Sequence, residues 1–215
     1  MDLIIKFIEV VLHLDEYLKV LIADYGFWTY VILFVIIFCE TGLVVTPFLP
    51  GDSLLFTAGA LAALGDMSVP WILISLIIAA IAGDSVNYWV GKRLGLRVFN
   101  ANIPFLKKEY LTRTEKFYEK YGTKTIFLAR FVPIIRTIAP FVAGVGTMEY
   151  GRFLSYNVIG GMAWVSFFTL GGYFFGNLPV VKDNFGIVVI AIILISVLPM
   201  VYEFVKARRE PSIAA

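Results

Sequence analysis

The sequence holds one cysteine, Cys39, and one histidine, His13, among 215 residues. A single thiol excludes an internal disulfide and a cysteine-based metal cluster, and His13 has no neighbouring His or Cys ligand. No metal or other cofactor is expected, and Cys39 reads as a small core residue. Charge is also scarce: charged residues are 16% of the chain against 60% hydrophobic, with a mean hydropathy of +0.85. So apolar a composition excludes an ordinary water-soluble surface. The amino terminus carries Asp2 and Glu9 and lacks both a basic leader and a small-residue cleavage site, so no removable signal peptide is expected.

In place of charge there are long apolar runs. Met67 to Gly83, Phe153 to Val181 and Asn184 to Tyr202 contain no charged residue across 17, 29 and 19 positions, close to the ~20 residues a membrane helix needs. The expected class is an all-α polytopic membrane protein. Trp28, Trp71 and Tyr25 suit an aromatic belt at a membrane interface. Lys92 to Lys124 concentrates nine Lys or Arg against Glu109, Glu115 and Glu119, which predicts a cytoplasmic loop. No aromatic-interleaved motif accompanies these charges, so they suit anionic headgroups rather than nucleic acid.

The pattern divides a single membrane domain, 1–215, into an amphipathic N-terminal helix (1–25), a first re-entrant hairpin (26–66), a transmembrane helix (67–91), the basic cytoplasmic loop (92–124), a second re-entrant hairpin (125–150), two further transmembrane helices (153–178 and 184–206) and a cytoplasmic tail (207–215). The hairpins are expected because Pro47, Pro50 and Gly51 interrupt the first apolar stretch, and Pro133 and Pro140 the second. Counting orientations back from the basic loop makes the two hairpins enter from opposite sides. Thr57-Ala58-Gly59 matches Val142-Ala143-Gly144, and each hairpin precedes a helix carrying Gly, Trp and a Gly-x-x-x-Gly: Gly83, Trp89 and Gly91-x-x-x-Gly95 in one, Gly161, Trp164 and Gly172-x-x-x-Gly176 in the other. Hairpin plus helix, twice and inverted, is transporter architecture with the substrate site near the midplane. Gly172-x-x-x-Gly176 is also a candidate homodimer face, or an internal packing face.

Five charged residues fall inside apolar stretches: Glu40, Asp52, Asp84, Arg130 and Arg136. Each costs about 2.5 to 3.5 kcal/mol at a membrane centre, so each needs a partner or water. The first hairpin brings acids and the second arginines, so opposed tips juxtapose opposite charges. A structural ion-pair cluster is the plain alternative. Arg130 and Arg136 offer planar donor forks for phosphate or carboxylate. Glu40 is the better proton carrier. Asp52, after Pro50-Gly51, occupies a helix N-cap position as well as a candidate site. Asp84 ranks below the other four, since it lies toward Lys92 and Arg93 and can pair or snorkel there.

Phe127-Leu-Ala-Arg130-Phe-Val-Pro133-Ile-Ile-Arg136-Thr, with Glu40-x-Gly42 and Pro47-Phe-Leu-Pro50-Gly51-Asp52-Ser53 upstream, resembles the bacterial DedA family from about Gly26 to Arg209. That family is related to eukaryotic lipid scramblases sharing the VTT domain. The resemblance implies lipid translocation at the inner membrane, with undecaprenyl phosphate as the implicated substrate. It also implies envelope integrity and proton motive force as the physiological context. Its functional acids and arginines fall on Glu40, Asp52, Arg130 and Arg136. The expected function is therefore a lipid-phosphate translocase with Arg130 and Arg136 on the phosphate and Glu40 and Asp52 coupling protons. A proton-coupled cation antiporter is the alternative in the same class, and a polyprenyl-phosphate enzyme the alternative in another. No activated nucleophile is legible, so an enzyme is not expected. The C-terminus is expected in the cytoplasm; the side of the N-terminus stays open.

Overall fold

A computed structural model describes residues 26–43, 51–65, 67–94, 108–146, 148–183, 188 and 191. The expected amphipathic helix at 1–25, with His13 and Tyr25, lies outside the described residues. So do Pro47 and Pro50, Gly95, nearly all of the expected helix at 184–206, and the tail at 207–215. The described residues form helices α1 (Phe27–Gly42), α2 (Gly51–Ala63), α3 (Val69–Leu94), α4 (Lys108–Tyr121), α5 (Thr125–Ala129), α6 (Pro133–Val145), α7 (Tyr150–Gly176) and α8 (Pro179–Asp183), with a 3-10 turn at Gly122–Lys124. No strand occurs among them. This is an all-helical membrane protein.

Among the described residues, only α3 and α7 are both long and apolar enough to cross a bilayer by length and composition. At about 1.5 Å per residue each exceeds the ~30 Å hydrocarbon core. The helices α1, α2 and α6 hold 16, 13 and 13 residues and fall short of it. The breaks have local causes. Leu43 turns to an extended conformation at the end of α1. Val132 is extended before Pro133, whose fixed φ suits the first turn of α6. Pro140 sits inside α6 and withholds the amide that would bond to the Arg136 carbonyl.

The expected basic loop at 92–124 needs correction. The helix α3 runs through Lys92 and Arg93 to Leu94, and Lys108–Tyr121 is helical. Charge density concealed the period of that second segment, in which buried Thr114 and half-buried Phe117 and Tyr118 lie on one face. Tyr118 donates its hydroxyl to the Ala139 carbonyl at 2.9 Å, which pins α4 to α6.

Backbone contact between helices is closest where glycine allows it. A Cβ on Gly59 would run into the Thr169 carbonyl, and one on Gly172 into the Phe56 carbonyl, so α2 lies directly on α7. A Cβ on Gly144 would meet the Tyr88 carbonyl, and one on Gly91 the Phe141 carbonyl, so α6 lies in the same manner on α3. Gly176 packs on Ala60 of α2. The Gly172-x-x-x-Gly176 face, a candidate for homodimer contact, is thus filled from within the chain. Gly42 and Gly83 bring α1 onto α3, 3.3 Å separating a Gly42 Cβ position from the Gly83 Cα.

Two apolar clusters result. Leu33, Ile37, Leu55, Ile72, Leu76 and Trp164 anchor the larger, and Tyr88, Ile126, Ile135 and Phe153 the smaller. Trp28 and Trp71 are exposed, as an aromatic belt requires.

Candidate functional site

Between the apolar clusters the chain buries four of its charged residues almost completely: Glu40, Asp84, Arg130 and Arg136 are 0, 2, 2 and 5% exposed. They form two groups. In the first, Arg136 from the opening turn of α6 spreads its fork across two acids. Its Nη2 donates to Glu40 Oε1 at 2.5 Å and its Nη1 to Asp52 Oδ1 at 2.7 Å. The Gly51 amide donates to the same Glu40 oxygen at 3.2 Å. This contact requires glycine, because a Cβ there would overlap the Glu40 carboxylate. Asp52 is not occupied as a cap: it lies within the first turn of α2, and its Oδ1 also accepts the Trp164 indole N–H at 2.8 Å.

In the second group Arg130, at the turn between α5 and α6, points toward the long helices. Its Nη2 donates to Asp84 Oδ2 of α3 at 2.6 Å and to Asn157 Oδ1 of α7 at 2.5 Å. Asn157 in turn donates to the Ile81 carbonyl at 3.0 Å. Asp84 therefore does not snorkel toward Lys92 and Arg93. Those residues lie about two helical turns away along α3, while the Arg130 turn comes alongside α3 and α7 at the depth of Asp84.

The groups meet at Trp164, whose ring centroid is 4.9 Å from Arg136 Cζ and 5.9 Å from Arg130 Cζ, within range of a cation–π contact. A second link is Asn87 of α3. Its Nδ2 donates to the Thr41 carbonyl at 3.1 Å and the Thr137 carbonyl at 2.8 Å. These are the residues following Glu40 and Arg136, so one amide clamps both backbones that carry the ion pair. Sequence reasoning did not single out Asn87 or Asn157, and marked Trp164 only as part of a repeat. The available signal was an amide within an otherwise apolar helix.

Buried polar atoms ordinarily find partners. Here Arg130 Nε and Nη1, Arg136 Nε, Glu40 Oε2, Asp84 Oδ1 and Asn87 Oδ1 are buried with no hydrogen-bond partner. Both guanidiniums thus keep unused donor capacity, and such donors suit a charged oxygen. Among the described residues no three His, Cys, Asp or Glu side chains gather as a metal site. On α4, outside the spans, burial and then the charge of Asp84 push the Tyr118 hydroxyl well above its usual range. It stays protonated and keeps donating to Ala139.

Residues 49–174 match the VTT domain family. The chain is similar to Protein DedA of Escherichia coli strain K12, at 54% identity over 100% of both chains. It is similar to the uncharacterized membrane protein Rv0364 of Mycobacterium tuberculosis strain H37Rv, at 42% identity over 82% of this chain and 79% of the relative. It is also similar to the inner membrane protein YqjA of E. coli K12, at 38% identity over 70% and 69%. No solved structure matches.

Proposed function

The chain belongs to the DedA family of VTT-domain membrane proteins, and from that premise we propose that it is an inner-membrane transporter of a lipid phosphate, linked to protons. Undecaprenyl phosphate is the substrate that the family resemblance suggests. The observation that carries the reading is Arg136, a buried guanidinium divided between two carboxylates and still holding an unpartnered Nε.

Three acids face two arginines in this region, so with every group ionised the cluster holds one excess negative charge. A proton on Glu40 or Asp52 removes that excess and frees part of the Arg136 fork for phosphate. Release of phosphate restores the ion pair, so proton and phosphate compete through one guanidinium. Arg130 supplies the second positive centre, held by Asp84. The isoprenoid tail stays in the bilayer while the headgroup crosses.

The same reading treats α1 with α2, and α5 with α6, as two re-entrant hairpins of an inverted repeat. Its support is the crossed packing, in which α2 lies on α7 as α6 lies on α3, each through a reciprocal pair of glycine-to-carbonyl contacts. Rocking one pair against the other would expose the site alternately. The transporter reading is supported by the guanidiniums and carboxylates of the site, which suit binding an anion and exchanging a proton.

The test is lipid-phosphate translocation in proteoliposomes of wild type and Arg136→Ala, at two pH values, with and without an imposed proton gradient. Gradient-stimulated transport that Arg136→Ala reduces at least ~100-fold is expected, since a buried charge-assisted contact is worth about 3 kcal/mol. The excess carboxylate also fits a proton-coupled cation antiporter. Proton–cation exchange by wild type without lipid movement would favour that second reading.

A further inference from the structure

We propose that Trp164 is a positioning residue of the transport site: its indole N–H holds the Asp52 carboxylate while Arg136 passes from that carboxylate to the substrate phosphate and back. The inference rests on the lipid-phosphate reading and adds the residue that makes the exchange reversible.

Trp164 is fully buried. Its N–H bonds to the same Asp52 oxygen that Arg136 uses. Among the three acids of the cluster Asp52 alone is open to its surroundings, with a side chain 31% exposed against 0 and 2% for Glu40 and Asp84. A carboxylate at that opening, once released by Arg136, can rotate away unless a second donor keeps it. Trp164 is that donor.

The helices explain why the donor must be this residue. Asp52 rides on α2 and Trp164 on α7, and Gly59 and Gly172 lock those two backbones in direct contact. Arg136 rides on α6, whose corresponding close contact is with α3 through Gly91 and Gly144. The Trp164–Asp52 bond thus lies within one packed pair, and the Arg136–Asp52 bond runs between pairs. Relative motion of the pairs breaks the second bond and spares the first. While Arg136 is paired with Asp52 its guanidinium also lies 4.9 Å from the centre of the indole ring, a cation–π contact that the same motion loosens.

Phenylalanine at 164 retains a ring and removes the donor, so Trp164→Phe separates positioning from packing. Translocation kinetics are measured in vesicles of phosphatidylethanolamine and phosphatidylglycerol carrying a polyprenyl phosphate. The chains compared are wild type, Trp164→Phe, Asp52→Ala, the double variant, and Phe168→Leu, which removes a ring beside Trp164. Trp164→Phe should lower turnover about tenfold or more while leaving the apparent KM within ~2-fold. In the Asp52→Ala background, where the acceptor is gone, it should cost nothing further, and Phe168→Leu should stay near wild type. Unchanged turnover, fully additive losses, or an equal loss in Phe168→Leu would overturn the proposal and leave the transport reading standing. Wild type that moves no lipid phosphate would overturn both.

A second measurement leaves residue 164 intact, in case Trp164→Phe fails to fold. With Trp28, Trp71 and Trp89 replaced by phenylalanine, the remaining emission comes from Trp164. Adding the polyprenyl phosphate should change that emission as Arg136 leaves the indole face, and an unchanged spectrum would count against the proposal.

Discussion

Arg130 and Arg136 are near neighbours in sequence, equally buried, and stacked about the same indole, yet their surroundings differ in kind. Arg130 is held by Asp84 and Asn157, which belong to the two long helices and are themselves closed from solvent. Arg136 is held by Glu40 and Asp52 from the short helices α1 and α2, one of them partly open. A guanidinium tied to rigid spans is suited to stay. One shared between the ends of short helices, at an opening, is suited to change partners. Burial alone therefore does not distinguish the two arginines; the elements that supply their partners do.

The comparison predicts its largest contrast in stability. Asp84→Ala leaves Arg130 buried without a carboxylate and should destabilise the protein by about 3 to 5 kcal/mol. Asp52→Ala leaves Arg136 paired with buried Glu40 and removes only a partly exposed partner, but it also leaves the Trp164 N–H without its acceptor, and should cost about 2 kcal/mol. Thermal unfolding of both variants in one detergent measures the difference. Equal losses would erase the distinction between a fixed and an exchanging arginine.

A smaller effect is expected at the clamp between the short segments. Asn87→Ala removes the donors to the Thr41 and Thr137 carbonyls. Two neutral hydrogen bonds are together worth about 2 kcal/mol. Because the clamp lies beside Glu40 and Arg136, transport should fall more than the stability loss explains. A transport rate that follows the folded fraction alone would assign Asn87 to scaffolding.

Much of this arrangement is readable before folding, and the rest is unreadable for definite reasons. Charges in apolar runs stand out because insertion is costly, so Glu40, Asp52, Asp84, Arg130 and Arg136 declare themselves. Proline and glycine declare the breaks around α2 and α6. Pairing is another matter. Asp84 sits in the same helix as Lys92 and Arg93, and only the passage of the Arg130 turn beside α3 and α7 decides its partner. Asn87 and Asn157 carry no charge and scarcely alter a hydropathy profile, although their amides tie the site together. The segment Lys108–Tyr121 reads as a loop by charge density, whereas Thr114, Phe117 and Tyr118 recur at helical spacing along its packed face.

The finest probe uses two glycines that lie under the charged groups. A Cβ on Gly51 would overlap the Glu40 carboxylate, whereas one on Gly160 would approach Arg130 Cδ at 3.1 Å and Nε at 3.2 Å. Gly51→Ala must therefore move Glu40, which meets Arg136 at the contact proposed to exchange, and overpacking of this kind costs about 1 to 3 kcal/mol. Transport should fall by roughly tenfold if a displaced Glu40 loses about 1.4 kcal/mol of its contact. Gly160→Ala presses on an arginine fixed by Asp84 and Asn157, and a shift of a few tenths of an ångström relieves it. Its stability loss should be about 1 kcal/mol or less, with transport near the wild-type rate. A reversed order, with Gly160→Ala the more damaging to transport, would place the moving arginine at 130 and make Arg136 the fixed one.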